Sequence, residues 1–256
     1  MRIGLIGCGA LAQYMLEHED NYRYDIVSVF VRDAKKYETL AKKYDLQLYT
    51  DLDEFLQSNI DLVVELAGVP AAREHGVEVA KKKDLLIISI GAFADEAFAK
   101  EMEEAAHANG HRIYLPSGAI GGLDTVQNAR DTGQLEEVMI STRKPAASLD
   151  EPDITEPKVV FDGVAKDAIE LFPKNVNISI ALSLAGLGIH QTRVRLVADP
   201  HVTTNEHEIT VKGPFGSGTF QLSNAPLPTN PKSSFITAMS VIGTLERLDR
   251  TIQIGS

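Results

Sequence analysis

The sequence predicts an α/β fold, with an N-terminal doubly wound parallel sheet followed by a smaller α+β domain built on an open-faced sheet. Three observations predict it. Over the first 120 residues, uniformly apolar runs alternate with amphipathic segments, the pattern of parallel strands covered on both faces. The first run is broken by Gly7-Cys8-Gly9, after which helical periodicity begins. Beyond residue 120 the runs alternate charged and apolar side chains, as half-exposed antiparallel strands do.

Arg2–Ile6 reads as the first strand and Ala10–His18 as the helix after the glycines. Tyr24–Val31 is a valine-rich second strand, followed by a helical Ala34–Tyr44 with Asp33 placed to cap it. Leu62–Ala67 and Leu85–Ile90 are further buried strands, each followed by a helix, Ala71–Lys82 and Glu96–Asn109. Arg112–Leu115 closes this series. The second series opens with a strand at Glu136–Thr142 and a proline- and acid-rich surface loop at Ala147–Lys158. Ala165–Phe172 and Ile178–Leu187 read as helices, and Arg193–Ala198 as an antiparallel strand. Glu208–Val211 and Thr219–Leu222 flank Gly213-Pro214-Phe215-Gly216-Ser217-Gly218, a hairpin signature. A last helix, Ser233–Arg247, follows the proline-rich crossing Pro226–Pro231. The expected domains are residues 1–120 and 121–231, with helix 233–247 a candidate to return to the first.

The 256 residues suit two domains, at roughly 100–200 residues per domain. With 36 acidic against 25 basic side chains the net charge is −11, which argues against nucleic acid or an anionic membrane as partner. A single cysteine, Cys8, excludes an internal disulfide and a cysteine-built metal site. No apolar run reaches the ~18 residues of a membrane span, so a cytoplasmic protein is expected. The charge is uneven: residues 1–170 hold 18 basic and 31 acidic side chains, a net of −13. Residues 171–256 hold 7 basic and 5 acidic, a net of +2.

Within Gly4-Leu5-Ile6-Gly7-Cys8-Gly9-Ala10-Leu11-Ala12, the residues Gly7, Gly9 and Ala12 form G-x-G-x-x-A between a strand and a helix. Gly7 permits the tight turn, Gly9 lets the backbone approach a pyrophosphate, and Ala12 allows close helix–strand packing. The helix start at Ala10 and Leu11 offers N–H groups to phosphate. This makes the first domain a Rossmann dinucleotide-binding domain, with NAD or NADP as cofactor. At the end of the second strand, Arg32 suits the 2′-phosphate of NADP and Asp33 the ribose hydroxyl of NAD. The pair leaves the preference open. Ala67, ending the third buried run, joins the cofactor candidates.

Leu115-Pro116-Ser117-Gly118-Ala119-Ile120-Gly121-Gly122-Leu123-Asp124 resembles the L-aspartate dehydrogenase family. So do Ser89-Ile90-Gly91-Ala92-Phe93-Ala94-Asp95 and Phe172-Pro173-Lys174-Asn175-Val176-Asn177. Val197-Ala198-Asp199-Pro200 with Asn205-Glu206-His207, and Pro228-Thr229-Asn230-Pro231-Lys232-Ser233, complete the set in the same order. The resemblance implies oxidative deamination of L-aspartate with NAD or NADP, through iminoaspartate to oxaloacetate and ammonia, or supply of iminoaspartate to pyridine nucleotide biosynthesis. By motif position it puts the catalytic histidine at His207 and cofactor contacts at Ala119 and Asn177, with Asn175 the alternative in Asn-Val-Asn. Arg32 departs from the pattern, standing where an aspartate is common.

Oxidising an amine at carbon requires the ammonium to lose a proton before hydride leaves, and histidine suits that base. Seven histidines compete for the role. His207 is expected to begin a strand whose edge could face the cleft. A dicarboxylate needs cations and N–H donors, and Lys232, Ser233, Ser117 and Asn175 are the substrate candidates, with Lys174 second to Lys232. Ser233 and Ser234 could equally cap the last helix. Rival readings are a homoserine dehydrogenase-like enzyme and a nucleotide-sensing module without turnover. An open-faced sheet leads to the expectation of a homodimer.

Overall fold

The computed structural model describes residues 1–172, 177–228 and 230–254, and of these the side chains of all but 230–233. The chain divides into two compact units, Met1–Pro116 with Ala238–Gln253, and Ser117–Thr237.

The first unit is β1 (Arg2–Ile6), α1 (Ala10–Glu17), β2 (Asp25–Phe30), α2 (Glu38–Tyr44), β3 (Gln47–Tyr49), α3 (Leu52–Gln57), β4 (Leu62–Glu65), α4 (Val69–Lys82), β5 (Asp84–Ile87), α5 (Glu96–Asn109) and β6 (Ile113–Tyr114). Its sheet is parallel throughout, in the order β3-β2-β1-β4-β5-β6. That order is the doubly wound one, with its reversal of direction between β1 and β4. Ile3, Leu5, Val63, Val64, Leu85, Leu86 and Ile87 are fully buried, which is why these strands carry no polar alternation.

Asp33 differs from expectation. A 3-10 turn at Lys35–Tyr37 precedes α2, which begins only at Glu38, so the Asp33 carboxylate does not reach α2 and accepts the Lys35 N–H at 3.1 Å. The short elements β3 and α3 went unread because three and six residues are too few to show a period. Asp51 marks α3, accepting the Glu54 N–H at 3.0 Å as its N-cap.

The second unit holds α6 (Leu123–Asp131), β7 (Glu137–Pro145), β8 (Lys158–Val164), α7 (Ala165–Leu171), α8 (Asn177–Ala185), β9 (Arg193–Asp199), β10 (Glu206–Gly213), β11 (Gly216–Ser223), β12 (Pro226–Leu227) and β13 (Asn230–Ser234). Five strands form one sheet in the order β11-β10-β7-β9-β8. β9 runs parallel to β7 and antiparallel to β8, so the sheet is mixed, where an antiparallel strand was expected. β8 takes up the end of the expected loop and the segment after it. Along β10 the burial alternates, with His207, Ile209 and Val211 buried and the residues between them half-exposed. One face is covered by helices: a Cβ on Gly186, just past α8, would touch Val126 of α6 and Val138 of β7. On the other face Arg143, Arg193, Arg195 and Gln221 are exposed, while Val197 and Asp199 of β9 are buried.

The last helix, α9 (Phe235–Leu248), returns to the first unit. Its Val241, Ile242 and Leu245 join the core formed by Ile3, Leu5, Met15, Tyr24 and Val64. Ser234 immediately precedes α9, yet its hydroxyl is buried without a hydrogen-bond partner, so it makes no cap bond.

Candidate active site

In the first unit the chemistry centres on the reversal between β1 and β4. Gly7 has φ +92°, and a Cβ there would stand 2.8 Å from the Cβ of Ala67, so the turn after β1 and the turn after β4 touch backbone to backbone at a glycine. Gly7 N–H donates to Phe30 O at 3.0 Å, tying the turn to β2. Gly9 is exposed, its added Cβ would meet nothing within 4 Å, and no side chain caps α1. The first N–H groups of α1 are therefore left uncapped by any side chain, which is the cradle a pyrophosphate requires. Ala12 is fully buried, as close helix–sheet packing demands, while Ala10 and Leu11 are half-buried. These residues fit a dinucleotide. Arg32 and Asp33 lie exposed beyond the end of β2. Ala67 is exposed beyond β4.

Sequence reasoning missed Glu65, the last residue of β4, only 1% exposed. Its carboxylate accepts the N–H groups of Ala67 at 2.8 Å, Gly68 at 2.9 Å and Ser89 at 3.2 Å. Burial pushes its pKa up, against the opposing pull of these bonds. The signal was an acid ending an apolar run, Leu62-Val63-Val64-Glu65.

In the second unit His207 is the second residue of β10, which runs between β11 and β7. Near the start of its strand, as expected, it stands in the interior of the sheet, 4% exposed, on the helix-covered face. Register places it opposite Thr142 of β7 and Leu222 of β11. Nδ1 and the Thr142 hydroxyl are 3.1 Å apart. Burial, and then the charge of Lys144, push the imidazole pKa down to about 4, so the ring is neutral at pH 7. Lys144 follows Thr142 by two residues and so shares the His207 face; burial lowers its own pKa. It too was missed, because strand membership had been read only as far as Thr142.

The Ser117–Gly122 loop belongs to the same unit. Ala119 O accepts from Asn224 Nδ2 at 3.0 Å, and Asn224 N–H donates to Asn205 O at 3.0 Å, linking the loop to the segments flanking β10 and β11. Gly122 (φ +75°) approaches Phe220 so closely that a Cβ would sit 2.5 Å from the ring, and Gly121 faces Leu222, the register neighbour of His207. Ser117 is half-buried and its carbonyl accepts the Ile120 N–H at 3.3 Å. Asn177 opens α8 and is exposed. Asn175 and Lys174 lie outside the described residues, as do the side chains of Lys232 and Ser233, whose backbone forms part of β13.

A cavity of about 470 Å³ is lined by Ser141, Arg143, Glu206, His207, Glu208, Gln221, Leu222 and Ser223. Of these, Ser141, Arg143, Glu206, Glu208 and Gln221 alternate with Thr142, His207 and Leu222 in register, so the pleat turns their side chains to the opposite face from the imidazole. Arg143 there bonds Asp199 at 2.5 Å. Among the described residues no cluster of metal-ligating side chains occurs.

A doubly wound sheet with an uncapped glycine turn at its reversal, in one chain with a mixed-sheet unit enclosing a neutral histidine, defines a two-domain NAD(P)-dependent dehydrogenase. Residues 3–116 match the family described as homoserine dehydrogenase, NAD binding domain, and residues 124–248 match aspartate dehydrogenase, C-terminal. The chain is 37% identical to an L-aspartate dehydrogenase of Methanospirillum hungatei and 35% identical to one of Methanococcus maripaludis, each over 100% of both chains. The crystal structure of aspartate dehydrogenase from Thermotoga maritima superposes with a TM-score of 0.84 at 28% identity, covering 100% of this chain and 99% of that one. A homoserine dehydrogenase from Thiobacillus denitrificans, at 15% identity and a TM-score of 0.63, covering 97% of this chain and 73% of that one, shares the fold. The chain belongs to the L-aspartate dehydrogenase family.

Proposed function

We propose that the protein oxidises L-aspartate with NAD or NADP, and that His207 is the general base. The observation that carries this is the buried, neutral imidazole of His207, with one ring nitrogen engaged by Thr142 and a cation, Lys144, on its face. The turn at Gly7, Gly9, Ala10, Leu11 and Ala12 binds the pyrophosphate, Arg32, Asp33 and Ala67 line the path of the dinucleotide, and the motif assigns Ala119 and Asn177 to the nicotinamide. When bound, that group accepts the hydride. His207 takes a proton from the substrate ammonium, the Cα–H bond breaks, and iminoaspartate results. His207 then assists water in adding to the imine, and ammonia leaves oxaloacetate behind; released before that step, iminoaspartate would feed pyridine nucleotide biosynthesis. A dianionic substrate beside His207 favours the imidazolium and so raises the pKa of the base in the complex. Lys144 joins Lys232, Ser117, Asn175 and Ser233 as a candidate for the substrate carboxylates. A cytoplasmic homodimer, paired through the face of the second sheet opposite its helices, completes the reading.

Purified protein with aspartate and either cofactor should generate reduced cofactor, followed by absorbance. Folded protein with no turnover on either cofactor overturns the proposal, and turnover on homoserine alone would favour the family matched by residues 3–116. His207→Gln should lower kcat on the order of 10²–10⁴-fold with cofactor binding kept. A wild-type rate would remove His207 from the chemistry.

A further inference from the structure

We propose that Thr142 is a positioning residue that sets the tautomer of His207, holding the proton on Nδ1 and leaving Nε2 to accept the substrate's proton; this rests on the reading of His207 as the base. The two side chains come from neighbouring central strands and are directly opposed in register. Thr142 is fully buried and His207 4% exposed, so no bulk water competes for the 3.1 Å contact between Oγ1 and Nδ1. A neutral imidazole carries one N–H, and the hydroxyl opposite Nδ1 can either accept that proton or donate its own; a base acting through Nε2 requires the first. If Nδ1–H donates to the Thr142 hydroxyl, Nε2 presents a lone pair. If the hydroxyl donates instead, the proton sits on Nε2 and that atom cannot act as a base. Nε2 has no hydrogen-bond partner among the described residues, and it is not one of their sealed, unpartnered polar atoms, which are Tyr24 Oη, Ser179 Oγ, Thr192 Oγ1 and Ser234 Oγ. It is therefore the nitrogen through which the ring can meet a ligand. The charged group sharing this face of β7 is Lys144, whereas Arg143, Glu206 and Glu208 are pleated to the other side. Threonine fits the place on two counts: its branched Cβ suits a central strand, and its hydroxyl is short enough to serve the ring opposite without leaving the sheet.

The test is two-bond ¹H–¹⁵N correlation spectroscopy of the imidazoles in the full chain at pH 7, with the His207 signals assigned by their loss in His207→Gln. The wild type and Thr142→Ser should show the Nδ1–H tautomer, and Thr142→Val a mixture of both. In steady-state assays with aspartate, Thr142→Val should lose about 10–100-fold in kcat, the size of effect seen when the outer partner that orients a metal-bound histidine is removed, with KM for aspartate and cofactor near wild type. Thr142→Ser should restore most of the rate. An Nε2–H tautomer in the wild type overturns the proposal even if the valine variant does not fold, and so does a Thr142→Val protein with wild-type tautomer and kcat. Full turnover by His207→Gln is a separate outcome that removes the base itself, whatever tautomer is found.

Discussion

His207 is a titrating group whose burial has a cost that stability can report. Its pKa falls from an ordinary value near 6.5 to about 4 in the folded chain, so between those values the unfolded state binds more protons and folding weakens as pH falls. The full contribution is about 3 kcal/mol, complete above pH 6.5 and lost by about pH 4. Urea unfolding of the wild type and His207→Gln, compared across pH 4–7, should show the wild type losing more stability on acidification, and parallel curves would refute the assignment. Arg32 belongs to the same scale. It stands exposed just past the end of β2, where the proposed function puts the ribose of the dinucleotide, while the neighbouring Asp33 carboxylate is engaged by the Lys35 N–H. Arg32→Ala should therefore raise KM for NADP about 10-fold, the effect of one lost charge-assisted phosphate contact, with a smaller change for NAD. Equal changes for both would show that Arg32 does not discriminate.

At the scale of elements, the turn between β1 and α1 is set by contact with the turn after β4. Gly7→Ala would put a methyl group 2.8 Å from Ala67 Cβ at a φ of +92°. Strain of this kind costs about 1–3 kcal/mol and pushes the turn out of its cradle. The expected result is a lower melting temperature together with dinucleotide binding weakened by an order of magnitude or more, measured by calorimetry. Unchanged affinity would separate the turn from the cofactor. Most of this element was legible in the chain, since strand, glycines and helix lie within 17 residues of one another. β3, α3 and β8 were not. Two of them are too short for a period to appear, and β8 has its odd and even positions almost equally exposed, so its sequence shows no inward face.

At the scale of the molecule, α9 closes the core of a unit from which it is separated by the whole of the second unit. Removing residues 238–256 would strip Val241, Ile242 and Leu245 from that core. Each large apolar side chain lost costs about 2–5 kcal/mol, comparable together with the ~5–15 kcal/mol that holds a domain folded. The truncated chain should be insoluble or lose cooperative unfolding by circular dichroism, and a cooperative transition near the wild-type temperature would show that the first unit does not need α9. The sequence by itself determined the doubly wound sheet and the glycine turn, and its family resemblance singled out His207 as the candidate base, because periodicity, turn chemistry and motif spacing are properties of neighbouring residues. Only the tertiary structure decided that Glu65 is buried under two loops, that β9 runs parallel to β7, and that Thr142 stands 65 residues away in sequence yet opposite His207. Those facts depend on strand register, and register is chosen by which whole faces bury best against the helices, a choice no local stretch of sequence contains.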